Sequence, residues 1–315
     1  MKDSFSREID YLRISVTDLC NLRCLYCMPE KGVAKIEHDK IISPERIKEI
    51  VTKCAELGIK KVRLTGGEPL VRKGIIEIIK LIRSVKGIEE ICLTTNGLLL
   101  NEMAQELFDA GVDRLNISLD TLDEKKFSFI TRGGKLAQVI SGIKKAQEVG
   151  FKNTKVNCVL IGGFNDDEIE KFAAFAEKYS LNVRFIELMP IGESEQFEDK
   201  SFVSNELILK RLPNLIPIDS DGVAKYYSIP HSNGIIGLIS PLSNSFCASC
   251  SRIRLNSDGK IKPCLHSKDE IDLNGLTGEK LSDALKRAIL SKPKQHYLNE
   301  ERRSKSLRGM SKIGG

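Results

Sequence analysis

The stretch Cys20-Asn21-Leu22-Arg23-Cys24-Leu25-Tyr26-Cys27 places three cysteines within eight residues, spaced C-x3-C-x2-C. It directly follows an alternating run at residues 12–16, which predicts a short β-strand. Three thiolates on one tight loop can hold a metal centre and leave one coordination position for another ligand, as in a [4Fe–4S] cluster with three cysteines. A zinc loop and a chance group of buried cysteines are the alternatives, although zinc loops more often combine two C-x2-C pairs.

Cysteine use and the N-terminal residues indicate the compartment and the role of the thiols. Residues 1–8 contain no apolar segment of a secretory signal, and no apolar run approaches the ~20 residues of a membrane span. We therefore expect a cytoplasmic protein with no membrane contact, in which cysteines serve metal or redox chemistry rather than disulfides. Six of the nine cysteines fall into two triplets. The others lie singly in apolar patterns and are interpreted as small buried residues: Cys54, Cys92 and Cys158.

The formal net charge of +6 admits either nucleic acid or an anionic small molecule as the partner. Tryptophan is absent and aromatic residues make up 6% of the chain, so a stacking platform for nucleic acid is not indicated. Arg13, Arg63 and Lys155 lie on or beside predicted strands, where one face would normally be apolar. Because a cation there needs an anionic partner, a polyphosphate ligand is favoured, and solvated strand-end charge is the alternative for each residue.

Strand-like and helix-like segments alternate six times between residues 11 and 189. The first helix, for example, begins with Ser43-Pro44-Glu45 and ends before Gly58. Such alternation predicts parallel strands joined by right-handed helical crossovers. The pattern alone admits a partial barrel of six βα units or an open doubly wound sheet. Because the rhythm breaks after Pro190, we predict a core at residues 1–190 and a C-terminal extension at residues 191–315.

Polar residues cluster where the predicted strands end, which is where parallel βα barrels carry their chemistry. Gly66-Gly67-Glu68-Pro69 follows the second strand, and its paired glycines would let a ligand approach the backbone closely, with a simple tight turn as the alternative. Ser118 and Met189 end the fourth and sixth strands, although Met189 could equally be a core residue.

The extension contains the second cysteine triplet, Cys247, Cys250 and, after thirteen intervening residues, Cys264. A hairpin with the turn Asp258-Gly259 separates the last two of these cysteines. His266 could complete a Cys3His zinc site, so the spacing alone leaves zinc open, whereas comparison with the first triplet favours a second cluster. An amphipathic helix is predicted at about 278–290, and a flexible basic tail at 305–315.

The first loop, with Tyr26 before its last cysteine, resembles the signature loop of radical S-adenosylmethionine (SAM) enzymes, and residues 66–69 are similar to their GGEP motif. The second triplet, the Arg252-Ile253-Arg254 tripeptide and the terminal Gly314-Gly315 resemble the GTP 3′,8-cyclase family of molybdenum-cofactor biosynthesis. Ser251 is one departure, where many members carry Asn. The resemblance covers the chain from the first strand to the last residue.

The resemblance implies an α/β fold, a partial (βα)6 TIM-type barrel with an extension that carries a second Fe–S cluster. It implies two [4Fe–4S] clusters and SAM as cofactors and GTP as the substrate. In that family, reductive cleavage of SAM gives a 5′-deoxyadenosyl radical that takes the 3′ hydrogen of GTP. C3′ then attacks guanine C8 to give 3′,8-cyclo-7,8-dihydro-GTP, the first step of molybdopterin biosynthesis. Implied partners are a low-potential electron donor and the downstream pyranopterin monophosphate synthase, with the chain a monomer or homodimer.

Residue roles carried over by the resemblance fall into three sets. The implied cluster ligands are Cys20, Cys24, Cys27, Cys247, Cys250 and Cys264. The implied SAM contacts are Tyr26, Gly67, Ser118 and Met189. The implied GTP contacts are Arg13, Arg63, Thr94, Lys155, Arg252, Ile253 and Arg254. As catalytic residues, we hypothesise that Arg252 or Arg254 helps to deliver the final electron and proton, and the di-glycine end is expected to reach into the active site.

Two alternatives stay open at this point. A different radical SAM enzyme with an auxiliary cluster, such as one that modifies peptides, would share both triplets but lack the arginine tripeptide, the Gly-Gly end and affinity for GTP. A zinc protein that binds nucleic acid through its basic surface would contain zinc and no iron after anaerobic isolation.

Overall fold

A twelve-stranded sheet organises the computed structural model, which describes residues 1–34, 36–37, 40–197, 201–220, 222–301 and 303–314. Its strands are β1 Tyr11–Ser15, β2 Lys61–Thr65, β3 Glu90–Thr95, β4 Arg114–Ser118, β5 Lys155–Leu160, β6 Asn182–Glu187, β7 Ile216–Ile218, β8 Lys225–Ser228, β9 Ile235–Ile239, β10 Arg252–Leu255, β11 Lys260–Lys262 and β12 Ile271–Asp272. Their spatial order is β12-β11-β10-β1-β2-β3-β4-β5-β6-β9-β8-β7, so the sheet has two ends.

Helices follow most of the strands of the core. The α-helices of the described residues are α1 Pro44–Glu56, α2 Ile75–Arg83, α3 Leu100–Asp109, α4 Glu124–Thr131, α5 Leu136–Val149, α6 Ile169–Tyr179, α7 Glu206–Arg211, α8 Gly278–Leu290, α9 Leu298–Glu301 and α10 Met310–Ile313. The first helix forms as its sequence predicts: Ser43 caps it by accepting a hydrogen bond from the Arg46 backbone N–H at 3.2 Å, and Pro44 opens it.

Six consecutive βα units give the core its parallel strands. Strands β1 to β6 pair in chain order, each parallel to the next, which confirms the predicted (βα)6 core. The extension lengthens this sheet at both ends, since β10 pairs with β1 and β9 pairs with β6, again in parallel. Antiparallel hairpins then add β11 and β12 on one side and β8 and β7 on the other. The division at residue 190 stays a prediction.

The two faces of the parallel sheet differ in polarity. Alternate residues such as Leu12, Ile14 and Val62 are 0% exposed and pack with the apolar faces of the helices in one core. The residues between them, such as Arg13 and Arg63, lie on the opposite face, which we call the inner face. A barrel of this type is usually filled by branched apolar side chains, so a polar inner face indicates that the sheet encloses a site.

The C-terminal tail corrects one expectation from the sequence. Residues 305–315 were expected to be flexible, yet Ser311 and Ile313 are 2% and 0% exposed, and residues 310–313 form α10. Arg308 explains this order, because its guanidinium donates to Glu270 at 2.6 and 2.7 Å and to Asp258 at 2.7 Å. The final residue, Gly315, lies outside the described residues.

Other expectations hold. The Asp258-Gly259 turn joins β10 and β11 as an antiparallel hairpin, and α8 spans the predicted residues. The single cysteines are buried in the core, as interpreted: Cys54, Cys92 and Cys158. Within the described parts of the chain, we find no helix that is both long and apolar enough to cross a membrane.

Candidate active site

The first cysteine loop lies at the carboxyl end of β1 and is held there by the end of α4. Backbone N–H groups of Arg23 and Leu25 donate to the carbonyls of Thr131 and Ile130 at 3.2 and 2.9 Å. Arg132 follows α4 in the left-handed region, with φ of 54°, and its guanidinium donates to the Arg23 carbonyl at 2.8 Å and the Met28 carbonyl at 2.9 Å. The loop is therefore shaped by the protein before any ligand binds.

The thiols of this loop are close enough to affect one another. Burial raises the pKa of Cys27 to about 12, and the charges of Cys20 and Asp120 add to the shift. Burial likewise raises the pKa of Cys24 well above its usual range, with Cys27 the next cause. The thiolate forms of these half-buried cysteines would repel each other, and a metal centre would supply the compensating positive charge and keep the coordinating thiols deprotonated. The loop therefore fits a cluster.

The GGEP segment packs directly behind the cysteine loop. A Cβ atom on Gly67 would lie 2.3 Å from the Leu19 carbonyl oxygen, so only glycine fits against the loop backbone at this point. The Glu68 carboxylate is buried and accepts hydrogen bonds from Thr95 Oγ1 at 2.8 Å and the Asn96 backbone N–H at 2.7 Å. Burial raises the pKa of Glu68 to about 7. Glu68 thus joins the ends of β2 and β3.

The four predicted SAM contacts surround the same rim of the sheet. Tyr26 donates through its hydroxyl to Asp120 at 2.7 Å, just beyond β4. Ser118 is the last residue of β4, and Gly67 follows β2. Met189 follows β6 and its carbonyl accepts a hydrogen bond from the Ser194 hydroxyl at 2.5 Å. The structure brings these residues together at the carboxyl ends of the strands. Their contact with SAM stays a prediction.

Asp120, which the sequence reading missed, links the cysteine loop to β5. Its second carboxylate oxygen accepts from the Val159 backbone N–H at 2.8 Å. Burial raises the pKa of Asp120 to about 6. An acid at the end of a predicted strand is a visible pattern, but its bond to Tyr26 connects residues 94 positions apart.

The second triplet lies at the opposite, amino end of the strands. Strand β10 runs parallel to β1 with Arg252 beside Tyr11, so Cys250 precedes the start of the shared register. Cys264 returns to the same end, because β11 is antiparallel to β10. The expectation that all the chemistry lies at carboxyl ends of strands is therefore wrong for this triplet.

The surroundings of the second triplet are positive, unlike those of the first. Burial opposes the shift, but the charges of Arg252 and Lys292 outweigh it and lower the pKa of Cys250 to about 6. For Cys247, burial is again outweighed, here by hydrogen bonds from His296 and Ser245, and the pKa falls to about 7. Thiolates are therefore favoured at neutral pH before metal binds.

His266 has contacts outside the second triplet. Its Nδ1 atom lies 3.2 Å from the Ser304 hydroxyl, and its ring packs edge-on against His296 with centroids 5.1 Å apart. Among the residues that the structure describes, no three His, Cys, Asp or Glu side chains converge on a single metal ion. The ligand set of the second triplet stays a prediction, and the spacing of its thiolates is compatible with a cluster.

Between the two triplets, arginines from three neighbouring strands share one level of the inner face. Arg13 on β1 is in register with Arg254 on β10 and with Arg63 on β2. Burial, and then the charges of Arg254 and Arg63, lower the pKa of Arg13 well below its usual value. Arginine stays charged in proteins, so we interpret this direction as crowding of cations that an anion would relieve.

A second polar level of the inner face runs beside the arginines. Thr94 on β3 is in register with Asn116 on β4, and Asn116 with Lys155 on β5. Arg63 reaches Thr94 Oγ1 at 3.4 Å, and Lys155 donates to the Tyr226 hydroxyl at 2.8 Å. Asn116, which the sequence reading missed, is 3% exposed, and its Oδ1 accepts no hydrogen bond within the described part of the chain. A buried amide oxygen that accepts no hydrogen bond fits a polar ligand.

Of the predicted GTP contacts, Ile253 stands apart. Its side chain is 0% exposed and packs in the apolar core on the other face of the sheet. A contact of this residue with GTP would therefore use its backbone. Arg252 and Arg254, its neighbours, lie on the inner face, and Arg252 also stacks 5.0 Å from the centre of the Phe246 ring.

The tail enters the inner face between these levels. Arg254 donates to the Gly314 carbonyl at 2.5 Å. A Cβ atom on Gly314 would lie 2.0 Å from Thr65 Oγ1, and the residue has φ of 78°, so glycine is required there. The expected approach of the di-glycine end to the site is thus seen for Gly314.

Two family models match the chain in succession. The model of the radical SAM superfamily matches residues 14–176. The model described as Molybdenum Cofactor Synthesis C matches residues 181–298. Together they span the two cysteine triplets.

Curated relatives match over the whole length. The GTP 3′,8-cyclases of Alkaliphilus oremlandii (strain OhILAs) and Alkaliphilus metalliredigens (strain QYMF) are each 50% identical over 320 residues, covering 100% of both chains. That of Peptoclostridium acidaminophilum is 50% identical over 99% of this chain and 98% of its own.

Solved structures agree on the fold. The crystal structure of Streptococcus suis SuiB has a TM-score of 0.63 at 16% identity and covers 91% of this chain and 67% of its own. Native anSMEcpe with bound AdoMet has a TM-score of 0.59 at 16% identity, over 89% and 82%. The full-length identities, not these distant folds, decide the family, and they separate this chain from zinc proteins and from other radical SAM enzymes. The chain belongs to the GTP 3′,8-cyclase family of the radical SAM superfamily.

Proposed function

We propose that this protein is a radical SAM GTP 3′,8-cyclase that converts GTP to 3′,8-cyclo-7,8-dihydro-GTP. The observation that carries the proposal is the position of Arg13, Arg63 and Arg254, which are in register on three adjacent strands. They lie between the two cysteine triplets, one at the carboxyl ends of the strands and the other at the amino ends. A triphosphate would neutralise this group of arginines. The two ends of the site would then act on different parts of the bound molecules.

The cofactors divide between the two ends. A [4Fe–4S] cluster held by Cys20, Cys24 and Cys27 would supply, with SAM, a 5′-deoxyadenosyl radical. Gly67, which packs against the backbone of the cysteine loop, and Tyr26, whose hydroxyl donates to Asp120, would contact SAM. The second triplet would hold a cluster whose open iron faces guanine. Because the triplets lie at opposite ends of the strands, the ribose would lie between them.

The protein's own residues position the substrate and keep water out. Arginine side chains can each contact a phosphate with two nitrogens, which fixes orientation as well as charge. Holding C3′ near the radical and C8 near C3′ removes most of the entropic barrier to each step. Gly314 on Arg254 closes one side of this space, where it helps to exclude water. Arg252 or Arg254 would help to deliver the last proton and electron to the product, with the electron itself supplied by the low-potential donor.

Supporting partners follow from the chemistry. The first cluster needs a low-potential one-electron donor, since cluster potentials reach roughly −700 mV. The product would pass to pyranopterin monophosphate synthase, and this protein would work in the cytoplasm as a monomer or homodimer. Residues 1–190 would form the radical SAM core, and residues 191–315 the extension that carries the auxiliary cluster and the Gly-Gly tail.

The decisive test follows one hydrogen atom. Anaerobic protein with both clusters is mixed with SAM, a reductant and GTP that carries deuterium at C3′. The proposal predicts deuterium in the 5′-deoxyadenosine and formation of the cyclic product. Cys264→Ser should abolish cyclisation while the first cluster still cleaves SAM slowly. Cleavage of SAM with no deuterium in 5′-deoxyadenosine would contradict the proposal.

A further inference from the structure

The segment of residues 292–296, which follows α8, passes behind the second cysteine triplet. Its first residue, Lys292, is 3% exposed. The Lys292 ammonium donates to the Arg252 carbonyl at 2.8 Å and to the Pro263 carbonyl at 3.1 Å. Arg252 comes two residues after Cys250, and Pro263 directly precedes Cys264. One side chain therefore joins two cysteine segments that are 13 residues apart along the chain.

The third cysteine is tied to the same segment by Arg7, from the N-terminus of the chain. The Arg7 guanidinium donates from one nitrogen to the carbonyls of Cys247 and Lys294, both at 2.9 Å. Its other terminal nitrogen donates to the Pro293 carbonyl at 2.7 Å. Arg7 is itself fixed by Asp3, whose carboxylate accepts from its Nε at 2.6 Å. Segment 292–296 thus contacts, directly or through Arg7, all three cysteine-bearing segments.

The ammonium of Lys292 places a buried positive charge next to the second cysteine triplet. Burial of an ammonium group costs several kcal/mol unless opposite charge compensates it. Among the described residues, no carboxylate forms an ion pair with Lys292, and its ammonium donates to the two carbonyls. The ammonium lies beside the Cys250 and Cys264 segments, because the two carbonyls that it binds belong to Arg252 and Pro263. A cluster held by these cysteines would therefore lie next to a buried positive charge.

We propose that Lys292 is the positioning residue of the second cysteine triplet. It sets the separation of the Cys250 and Cys264 segments through two carbonyls and places a buried positive charge beside the cluster that they hold. It acts through the cysteines and does not touch the substrate. The inference rests on the second cluster of the proposed function and adds to it a residue outside the ligand set.

The test compares Lys292→Met with Lys294→Met in the full chain, reconstituted anaerobically. Methionine keeps the length and apolar stem of lysine but removes the charge and both hydrogen bonds. Lys294 is exposed two residues away, so Lys294→Met changes the same charge without touching the triplet. Iron and sulfide content, and the midpoint potential of each cluster by electron paramagnetic resonance, are measured without GTP.

We expect Lys292→Met either to lose about half of the iron, all from the second cluster, or to retain that cluster with a lower midpoint potential, because nearby positive charge favours the reduced form. The first cluster should keep its signal and its response to SAM, and Lys294→Met should match the wild-type protein. Arg7→Met, which frees the Cys247 carbonyl, should weaken the same cluster.

Two results would overturn the inference. One is Lys292→Met with full iron and unchanged potentials, and the other is equal loss of both clusters, which would mean general destabilisation. A wild-type protein that holds one cluster only would refute the two-cluster function first and the inference with it. Because no measurement uses GTP, a failure of the cyclase reaction alone would leave these readouts unaffected.

Discussion

At Gly314, both the backbone conformation and the close contact with Thr65 exclude any side chain larger than hydrogen. The residue has φ of 78°, and an added Cβ atom would meet Thr65 Oγ1 at 2.0 Å. Gly314→Ala should therefore push the tail away from Arg254. We expect kcat/KM for cyclisation to fall at least tenfold, since a cost of about 1.4 kcal/mol corresponds to that factor. Iron content and slow SAM cleavage without GTP should not change.

The matched control for this change is Gly309→Ala. Gly309 has φ of −71°, and a Cβ atom there would have no neighbour within 4 Å. Its substitution should leave cyclisation close to the wild-type rate. Comparable losses of kcat/KM in both variants would mean that any substitution in the tail impairs cyclisation. That result would contradict a specific role for Gly314.

At the scale of single residues, the sequence predicts what is contiguous and misses what is distant. The first loop was recognisable because its three cysteines lie within eight residues. The role of Lys292 was not, because its partners lie 40 and 29 positions away. Asn116 was missed for a different reason: its position between Leu115 and Ile117 indicates the inner face, but a single neutral amide gives no sign of a ligand.

The two cysteine loops, as elements, differ in electrostatics although they look alike in sequence. In the protein without metal, the pKa of Cys250 is about 6 and that of Cys27 about 12. A thiol with a lowered pKa is largely thiolate above that value, and one with a raised pKa stays protonated until much higher pH. At pH 8, nearly all of Cys250 but only on the order of 1 in 10⁴ of Cys27 is then the nucleophilic thiolate.

This contrast predicts the order of alkylation. When metal is removed with a chelator at pH 8, a brief pulse of iodoacetamide should label Cys250 and Cys247 before Cys24 and Cys27, as peptide mass spectrometry would resolve. Labelling of Cys250 should fall as the pH drops below its pKa of about 6. Equal rates for the two loops at pH 8 would contradict the electrostatic difference between them.

Helices and strands were predicted well where one face is apolar, and the tail was not. Helix α1 begins at Pro44, as its cap and proline predict. The tail has a basic, glycine-containing sequence that gives no sign of packing. Its order depends on Arg308 and its pairs with Asp258 and Glu270, residues of the distant hairpin region. Local composition cannot reveal an ion pair formed across 38 or 50 positions.

For the whole molecule, the sheet determines where the two cysteine triplets lie. The sequence predicted six parallel strands from their alternation with helices, and that part is confirmed. It did not predict that β10 adds to the free edge of β1, which carries the second triplet to the amino end. Pairing between residues 11 and 252 depends on the tertiary structure and has no local signal in the sequence. The general rule that active sites lie at the carboxyl ends of strands therefore predicted the wrong end of the strands for the second triplet.

The three arginines in register on the inner face, Arg13, Arg63 and Arg254, are predicted to bind the triphosphate. Arg63→Met should raise KM for GTP by roughly tenfold to a hundredfold, because hydrogen bonds to charged groups contribute about 1.5–3 kcal/mol. SAM cleavage in the absence of GTP should continue, since Arg63 lies away from the first loop. Lys80→Met, on the exposed side of α2, serves as the control. An unchanged KM would remove Arg63 from the triphosphate site.

The central claim is that GTP lies on the inner face, between one cluster at the carboxyl ends of the strands and another at their amino ends. An anaerobic crystal structure with SAM and GTP tests this most directly. We predict iron density at Cys20, Cys24 and Cys27 at one end and at Cys247, Cys250 and Cys264 at the other, with the triphosphate on Arg13, Arg63 and Arg254. GTP bound elsewhere, or a second triplet that holds a single metal ion, would contradict it.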